Sequence, residues 1–125
     1  MTTIRKRREI RLEVRAERDS AQDFVKAWKQ ASRRPHKGVA AERVYFLDVD
    51  TLLRTLTNRR LDLLHALRLH GPATVRALSQ RLKRDYKNVH ADVKMLKNVG
   101  LIETDDDGKA LVPWDRIATE IPLAA

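Results

Sequence analysis

The strongest candidate for a binding surface is a helical stretch with a cationic side, RDYKNVHADVKMLKNVG at residues 84–100. At 100° per residue, Lys87 and Lys94 fall on the side of the helix opposite Val89. Lysine ammonium groups bind phosphate, and the amide of an asparagine such as Asn88 can pair with adenine through two hydrogen bonds. The pattern therefore predicts a helix whose basic face contacts DNA. The alternative at this point is a solvated basic face without a ligand.

The other side of the same helix is apolar. Val89, Val93 and Leu96 share one sector with Tyr86. We expect all four residues to pack in the core, with the Tyr86 hydroxyl bonded to the backbone. Trp28 and Trp114 are likewise interpreted as packing anchors.

The charge of the chain is concentrated in two blocks. The 125 residues carry a net charge of +9. Residues 1–37 hold twelve Lys or Arg and five acids, and residues 74–98 hold seven and two. Such blocks favour a polyanionic partner, most often nucleic acid, over a diffuse solubilising charge.

Composition excludes several other classes of protein. The length is that of one ordinary domain with a modest core. There are no cysteines, so disulfides, thiolate metal sites and cysteine nucleophiles are absent. No apolar run approaches the ~20 residues of a transmembrane helix, and the basic N-terminus lacks the apolar region of a secretory signal. We therefore expect a cytoplasmic protein that is not in a membrane.

Local patterns predict the elements that would position the basic helix. Alternation in EIRLEV (9–14) predicts a strand, Ser20 with Asp23 resembles a capping box before a helix, and VYF (44–46) is a short strand candidate followed by a short helix. Thr57 and Thr74 are positioned to cap two further helices, the first stopped at Gly71-Pro72. LIET and ALVPW around DDDGK (105–109) predict a hairpin, and DRIATEIPL a last helical turn.

Three helices followed by a hairpin predict a winged helix-turn-helix over residues 57–114. The fold class expected is therefore mainly α with a small β part, a winged helix-turn-helix carrying an N-terminal strand and helix extension. The domain prediction is 1–46 for the basic arm and extension, and 47–125 for the DNA-binding domain. The third helix would enter a groove that is about as wide as one helix.

Residues 71–115, GPATVRALSQRLKRDYKNVHADVKMLKNVGLIETDDDGKALVPWD, resemble the winged helix-turn-helix of MarR/ArsR-type bacterial and archaeal regulators. A closer resemblance is to small predicted transcriptional regulators with an RDYKNVHxDVKxLxxxGLI core and a PW pair after the wing, some of which are antitoxins of the TumA type. It covers about residues 20–122. The resemblance implies a homodimer that binds double-stranded DNA at a palindromic operator and represses its own operon, with a toxin as a further partner.

The expected DNA contacts fall into two groups. By position, Tyr86, Lys87, Asn88 and His90 match the start of the regulators' recognition helix. Base contacts are assigned to Lys87, Asn88, Ala91 and Lys94, while His90 at the edge of the face contacts phosphate or solvent. Phosphate contacts are assigned to the preceding helix and turn: Thr74, Arg76, Arg81, Lys83 and Arg84. Arg59 and Arg60 are either further phosphate contacts or a solvated helix start.

The predicted wing departs from the regulators' pattern at its tip. Asp105, Asp106 and Asp107 would be repelled by phosphate, and Lys109 is the only basic residue of the turn. We expect this hairpin to stay clear of DNA or to face a basic protein surface.

Catalytic chemistry has no support in the sequence. His36, His65, His70 and His90 do not have metal-ligand spacing, and there is no glycine-rich phosphate loop or nucleophile elbow. We expect neither an enzyme nor a bound cofactor or metal.

Two interpretations of the N-terminal segment stay open. The segment IRKRREIRLEVR is either a basic arm on DNA or a strand that forms a dimer or binds a partner by edge pairing. We favour a split, with Arg5 to Arg8 as a mobile arm and Ile10 to Val14 as a structural strand. The second interpretation supports an alternative function, a protein-interaction module that neutralises a toxin and for which DNA binding is secondary. RNA binding is a third hypothesis, disfavoured because no exposed aromatic pair is evident for base stacking.

Overall fold

The computed structural model describes residues 7–14 and 39–123. In chain order, the described elements are β1 (Arg7–Val14), β2 (Val39–Phe46), α1 (Val49–Thr55), α2 (Asn58–His70), α3 (Val75–Leu82), α4 (Tyr86–Asn98), β3 (Glu103–Thr104), β4 (Ala110–Leu111) and β5 (Arg116–Glu120).

The chain divides into two compact units, which we call the sheet unit and the helix–hairpin unit. The sheet unit holds the described residues up to Leu52 and from Asp115 onward, and the helix–hairpin unit is Leu53–Trp114. Residues from Asp115 onward belong to the sheet unit because β5 pairs with β1.

The sheet unit is built on three parallel strands in the order β2-β1-β5. The central strand β1 alternates as the sequence predicts, and Ile10 and Leu12 are fully buried on one face. Ile10 lies beside Ile117 of β5, and Leu12 beside Val44 of β2. The predicted strand is therefore confirmed, although Glu9 on its other face is buried as well. VYF is the end of an eight-residue strand.

The expected fold class is wrong. A mainly α chain with a small β part, organised as a winged helix-turn-helix with an extension, would not contain a three-stranded parallel sheet. The described chain is mixed α/β. Parallel strands need long connections, and here the chain between β1 and β5 contains the whole helix–hairpin unit.

The error arises mainly at DRIATEIPL. Ile117 and Ile121 are four residues apart, which favours a helical turn, but residues 116–120 form β5. Local spacing is a weak guide over five residues, and the backbone hydrogen bonds that β1 provides outweigh it. Asp115, just before β5, is bonded directly to β1. Its N–H donates to the Arg8 carbonyl, and its carboxylate accepts from the Arg8 N–H.

In the helix–hairpin unit, α2, α3 and α4 bury one stripe each. Leu63 and Leu67 of α2, Leu78 of α3 and Leu96 of α4 are all buried. The two predicted caps are confirmed: Thr57 Oγ1 accepts from the Arg60 N–H at 3.3 Å, and Thr74 Oγ1 accepts from the Ala77 N–H at 3.1 Å.

The hairpin is also confirmed. Glu103 pairs with Leu111 and Thr104 with Ala110, and Gly108 takes a positive φ of 79° at the turn. On its other edge Ala110 exchanges two backbone hydrogen bonds with Ala73 just before α3. Trp114 is buried and its indole N–H donates to the Leu101 carbonyl at 3.2 Å, so it is the packing anchor expected.

Several sequence predictions fall outside the described residues. They are the Ser20–Asp23 capping box with the helix that follows it, Trp28, His36, and residues 5 and 6 of the predicted arm. Arg7 and Arg8 of that arm belong to β1.

Candidate nucleic-acid interface

The helix α4 separates a buried side from an exposed basic side, as its periodicity predicts. Val89, Val93 and Leu96 are buried in the helix–hairpin unit. The exposed side carries the residues assigned to DNA bases and the flanking histidine: Lys87, Asn88, His90, Ala91 and Lys94. Two cations, an amide and a small residue are thus available along the first three turns of one helix.

The turn that orients α4 consists of residues 83–85 and has an unusual backbone conformation. Lys83 adopts a left-handed conformation with φ 54° and ψ 45°, the one positive φ at a non-glycine residue in the described chain. The next N–H, of Arg84, donates to the Ser79 carbonyl at 3.0 Å, which closes the end of α3. The chain can then reverse and begin α4 after Asp85.

Replacing Lys83 by glycine is expected to raise the free energy of unfolding by about 1 kcal/mol, because glycine adopts this left-handed conformation without the steric cost of a side chain. If Lys83 holds a phosphate, the same change weakens DNA binding. Urea unfolding and DNA titration of K83G would separate the two effects. The control is Lys83→Asn, which also removes the charge but tolerates the conformation less well than glycine. A loss of stability in K83G would contradict the strain argument.

Thr74 has a structural role at the start of α3. Its hydroxyl is occupied by the Ala77 N–H, so a phosphate contact at this position has to come from exposed backbone N–H groups of the first turn. Arg76 and Arg81 extend from the same helix and are exposed, as is Lys83. These four residues therefore remain accessible for the phosphate roles assigned to them.

Arg84 is different, because its side chain points into the unit. Its Nη2 lies 2.6 Å from Oδ2 of Asp92, and the Arg84 side chain is only 18% exposed. Arg60 approaches the other oxygen of the same carboxylate, with Nε 3.1 Å from Oδ1. The guanidinium of Arg84 is thus committed to Asp92 and is not presented as a phosphate contact.

The contacts of Arg60 show its role at the start of α2, where a phosphate contact and a solvated side chain were the two alternatives. Its Nη1 donates to the carbonyl oxygens of Arg54 at 2.8 Å and Thr55 at 2.9 Å, at the end of α1. Through Asp92, one cluster of charges therefore joins the end of α1, the start of α2, the turn before α4 and α4 itself. We call Arg60, Asp92 and Arg84 the Asp92 cluster. The only sequence signal for it was an isolated acid at the edge of a basic helix.

Tyr86 does not lie in the core, contrary to the sequence interpretation. It is 48% exposed, and its ring centroid lies 6.0 Å from that of His90, with the planes tilted by 32°. Helical spacing aligns it with Val89, but Tyr86 is the first residue of α4. The packed side of the helix begins at Val89, so an aromatic residue is left at the exposed start of the basic face.

The hairpin tip is acidic and tightly organised. Asp105 Oδ1 accepts from the N–H groups of Asp107 and Lys109, both at 2.9 Å, so this carboxylate shapes the turn. Asp106 and Asp107 are exposed. A tip with two exposed carboxylates repels phosphate, which agrees with the expectation that it stays clear of DNA.

Comparison with known proteins places the chain in a family. A family model, HVO_A0114, matches residues 55–119, which is more than half of the chain. The chain belongs to the HVO_A0114 family. The HVO_A0114 match contains α2, α3, α4, the hairpin and most of β5, and thus every residue of α3, α4 and the turn between them that was assigned above to DNA. No curated protein matches the chain.

Neither a membrane-spanning helix nor a metal-binding cluster is found in the part of this HVO_A0114 protein that the structure describes. No helix among residues 7–14 and 39–123 is both long and apolar enough to span a bilayer. The same residues contain no cluster of three His, Asp or Glu side chains arranged to hold a metal ion.

Proposed function

We propose that this HVO_A0114 protein is a sequence-specific, double-stranded DNA-binding regulator of transcription. It acts in the cytoplasm as a homodimer that represses its own operon. The observation that carries the proposal is the exposed side of α4, where Lys87, Asn88, Ala91 and Lys94 are accessible on a helix whose other side is fixed by Val89 and Leu96.

The mode of binding follows from the shape of α4 and its neighbours. The major groove of B-DNA, about 12 Å wide, admits one helix, and residues near the N-terminus of that helix reach the base edges. Asn88 suits bidentate bonding to adenine, and Ala91 permits close approach of the helix backbone. Lys87 and Lys94 extend to guanine or to phosphate.

Phosphate contacts come from the elements just before α4. Arg76, Arg81 and Lys83 are exposed, and the first N–H groups of α3 add a neutral donor set at Thr74. Arg84, which the sequence placed in this group, is reassigned to positioning α4 through Asp92. The acidic hairpin tip, with Asp106 and Asp107 exposed, makes no phosphate contact in this arrangement.

The experiment that tests this function is fluorescence-anisotropy binding to the upstream DNA of the gene and to a scrambled duplex, repeated at several salt concentrations. A preference of about 10³ or more for the upstream DNA is expected. If each subunit neutralises about four phosphates, the log–log salt slope of the dimer is about −7. Weak and equal binding to both duplexes, erased by salt, would refute the proposal.

Asn88 is expected to specify one base position in each half-site. Asn88→Ala should lose about 1–3 kcal/mol of discrimination at that position, because a bidentate amide contact is removed. The matched control is Lys83→Ala, which should weaken all sequences alike and make the salt slope shallower by about one for each phosphate that is no longer neutralised. Binding titrations against a set of single-base operator variants would measure both. Equal effects of the two changes on every duplex would contradict the assigned roles.

A further inference from the structure

The second face of the three-stranded sheet carries a network of ion pairs. Arg11 of β1 approaches three carboxylates: Glu9 at 3.7 Å, Glu13 at 3.3 Å and Glu120 at 3.6 Å. Two further arginines join this network, with Arg116 Nε 3.3 Å from Glu9 and Arg43 Nε 3.3 Å from Glu13. This network pairs three arginines with three carboxylates.

The burial of these charges falls sharply toward β5. The Glu9 side chain is 5% exposed and that of Glu13 12%, whereas Arg116 and Glu120 are 64% and 65% exposed. The two exposed charges lie two residues either side of Ala118, on the same face of the strand. Beyond them is the outer edge of β5, which pairs with no strand among the described residues. An edge with free backbone donors and acceptors is a template for another strand.

We propose that the outer edge of β5 is the homodimer interface, in which two copies of β5 pair antiparallel about a two-fold axis through Ala118. The inference rests on the dimer in the proposed function but not on its DNA site. The axis places Ala118 opposite Ala118 of the second copy. It also places Arg116 of each copy opposite Glu120 of the other, so the exposed ends of both charged faces are satisfied. Two three-stranded sheets then become one six-stranded sheet.

The register follows from the geometry of paired strands. A two-fold axis perpendicular to the sheet keeps each residue on its own face, so only residues an even number of positions apart in one strand can meet. Arg116 and Glu120 satisfy this condition, and the small Ala118 at the centre avoids a clash. The outer edge of β2 does not satisfy this condition, because its adjacent charges Glu42 and Arg43 lie on opposite faces of the strand. Centring that strand on either residue brings like charges together.

A cysteine test is direct because the natural chain has no cysteine. Opposite residues of an antiparallel pair have Cα atoms about 4.5–5.5 Å apart, within the range that a disulfide spans. Full-length A118C should therefore form a covalent dimer on mild oxidation, at a rate at least about tenfold above that of the control T119C. Thr119 is opposite residue 117 in this register, so its own copy is too far away.

A second variant tests the interface without oxidation. Ala118→Glu places two carboxylates face to face across the axis and should raise the dissociation constant of the dimer at least about tenfold in sedimentation equilibrium, with circular dichroism unchanged. Three outcomes overturn the proposal: equal cross-linking of A118C and T119C, faster cross-linking of T119C, or an undiminished dimer in A118E. A dimer that survives A118E and still prefers its operator would remove this interface while leaving the proposed function intact.

Discussion

Replacing Asp92 by asparagine is expected to lower the free energy of unfolding by about 3 kcal/mol. The carboxylate accepts from two arginines, and all three side chains are less than one-fifth exposed. Removing one partner of a buried ion pair leaves the other charge uncompensated, which costs more than the pair itself contributes. Here two guanidinium groups lose their counter-charge at once. Arg84 is affected most, because its Nη2 donates to Asp92 and its buried Nη1 has no hydrogen-bond partner among the described residues.

Urea unfolding followed by far-ultraviolet circular dichroism measures this loss, and the slope of the transition should stay unchanged. The matched control is Asp106→Asn, the same chemical change at an exposed position of the hairpin tip, for which a change within about 0.5 kcal/mol is expected. If D92N and D106N are equally stable, the Asp92 cluster does not fix α4. A folded D92N protein should also discriminate less between operator variants, since the orientation of α4 is no longer fixed by the Asp92 cluster.

Reversing two charges on α4 is expected to abolish specific DNA binding. The double variant Lys87→Glu with Lys94→Glu removes two cations from the exposed side of α4 proposed to contact DNA, and it adds repulsion from phosphate. A total loss of about 4 kcal/mol for the dimer corresponds to about a thousandfold in affinity. Both lysines are exposed, so the folded protein should retain its stability.

The control for this experiment makes the same charge change elsewhere on the helix–hairpin unit. Lys97→Glu with Lys109→Glu has an identical effect on net charge, but Lys97 is in the last turn of α4, about 15 Å along the helix from Lys87, and Lys109 is in the hairpin turn. Anisotropy titrations at one salt concentration compare the two. If the control loses as much affinity as K87E/K94E, binding responds to overall charge and α4 has no special role.

Features that depend on neighbouring residues were predictable from the sequence. Thr57 and Thr74 cap the helices that follow them because a capping hydroxyl needs only the N–H three residues later. The buried and exposed sides of α4 follow from its period, and the hairpin follows from a glycine that accepts a positive φ. These signals are contained within a few residues of chain.

Features that depend on residues far apart in the chain were not predictable from the sequence. The pairing that makes β5 a strand joins Arg8 and Asp115, 107 residues apart, and nothing local to RIATE indicates it. Arg84 is equally suited to a phosphate or to Asp92, and only the packed helices decide between them. Tyr86 fits the apolar sector by angle, but the sector is covered only from Val89 onward.

The parallel pairing of the first and last described strands has a consequence for folding during synthesis. The strand β1 is made early, yet one of its two edges stays unpaired until residues 116–120 leave the ribosome. The helix–hairpin unit is one continuous segment, residues 53–114, so it can form before residues 116–120 complete the sheet. A chain that stops at residue 114 would keep α4 with its basic face, but it would expose the edge of β1 and be prone to aggregation.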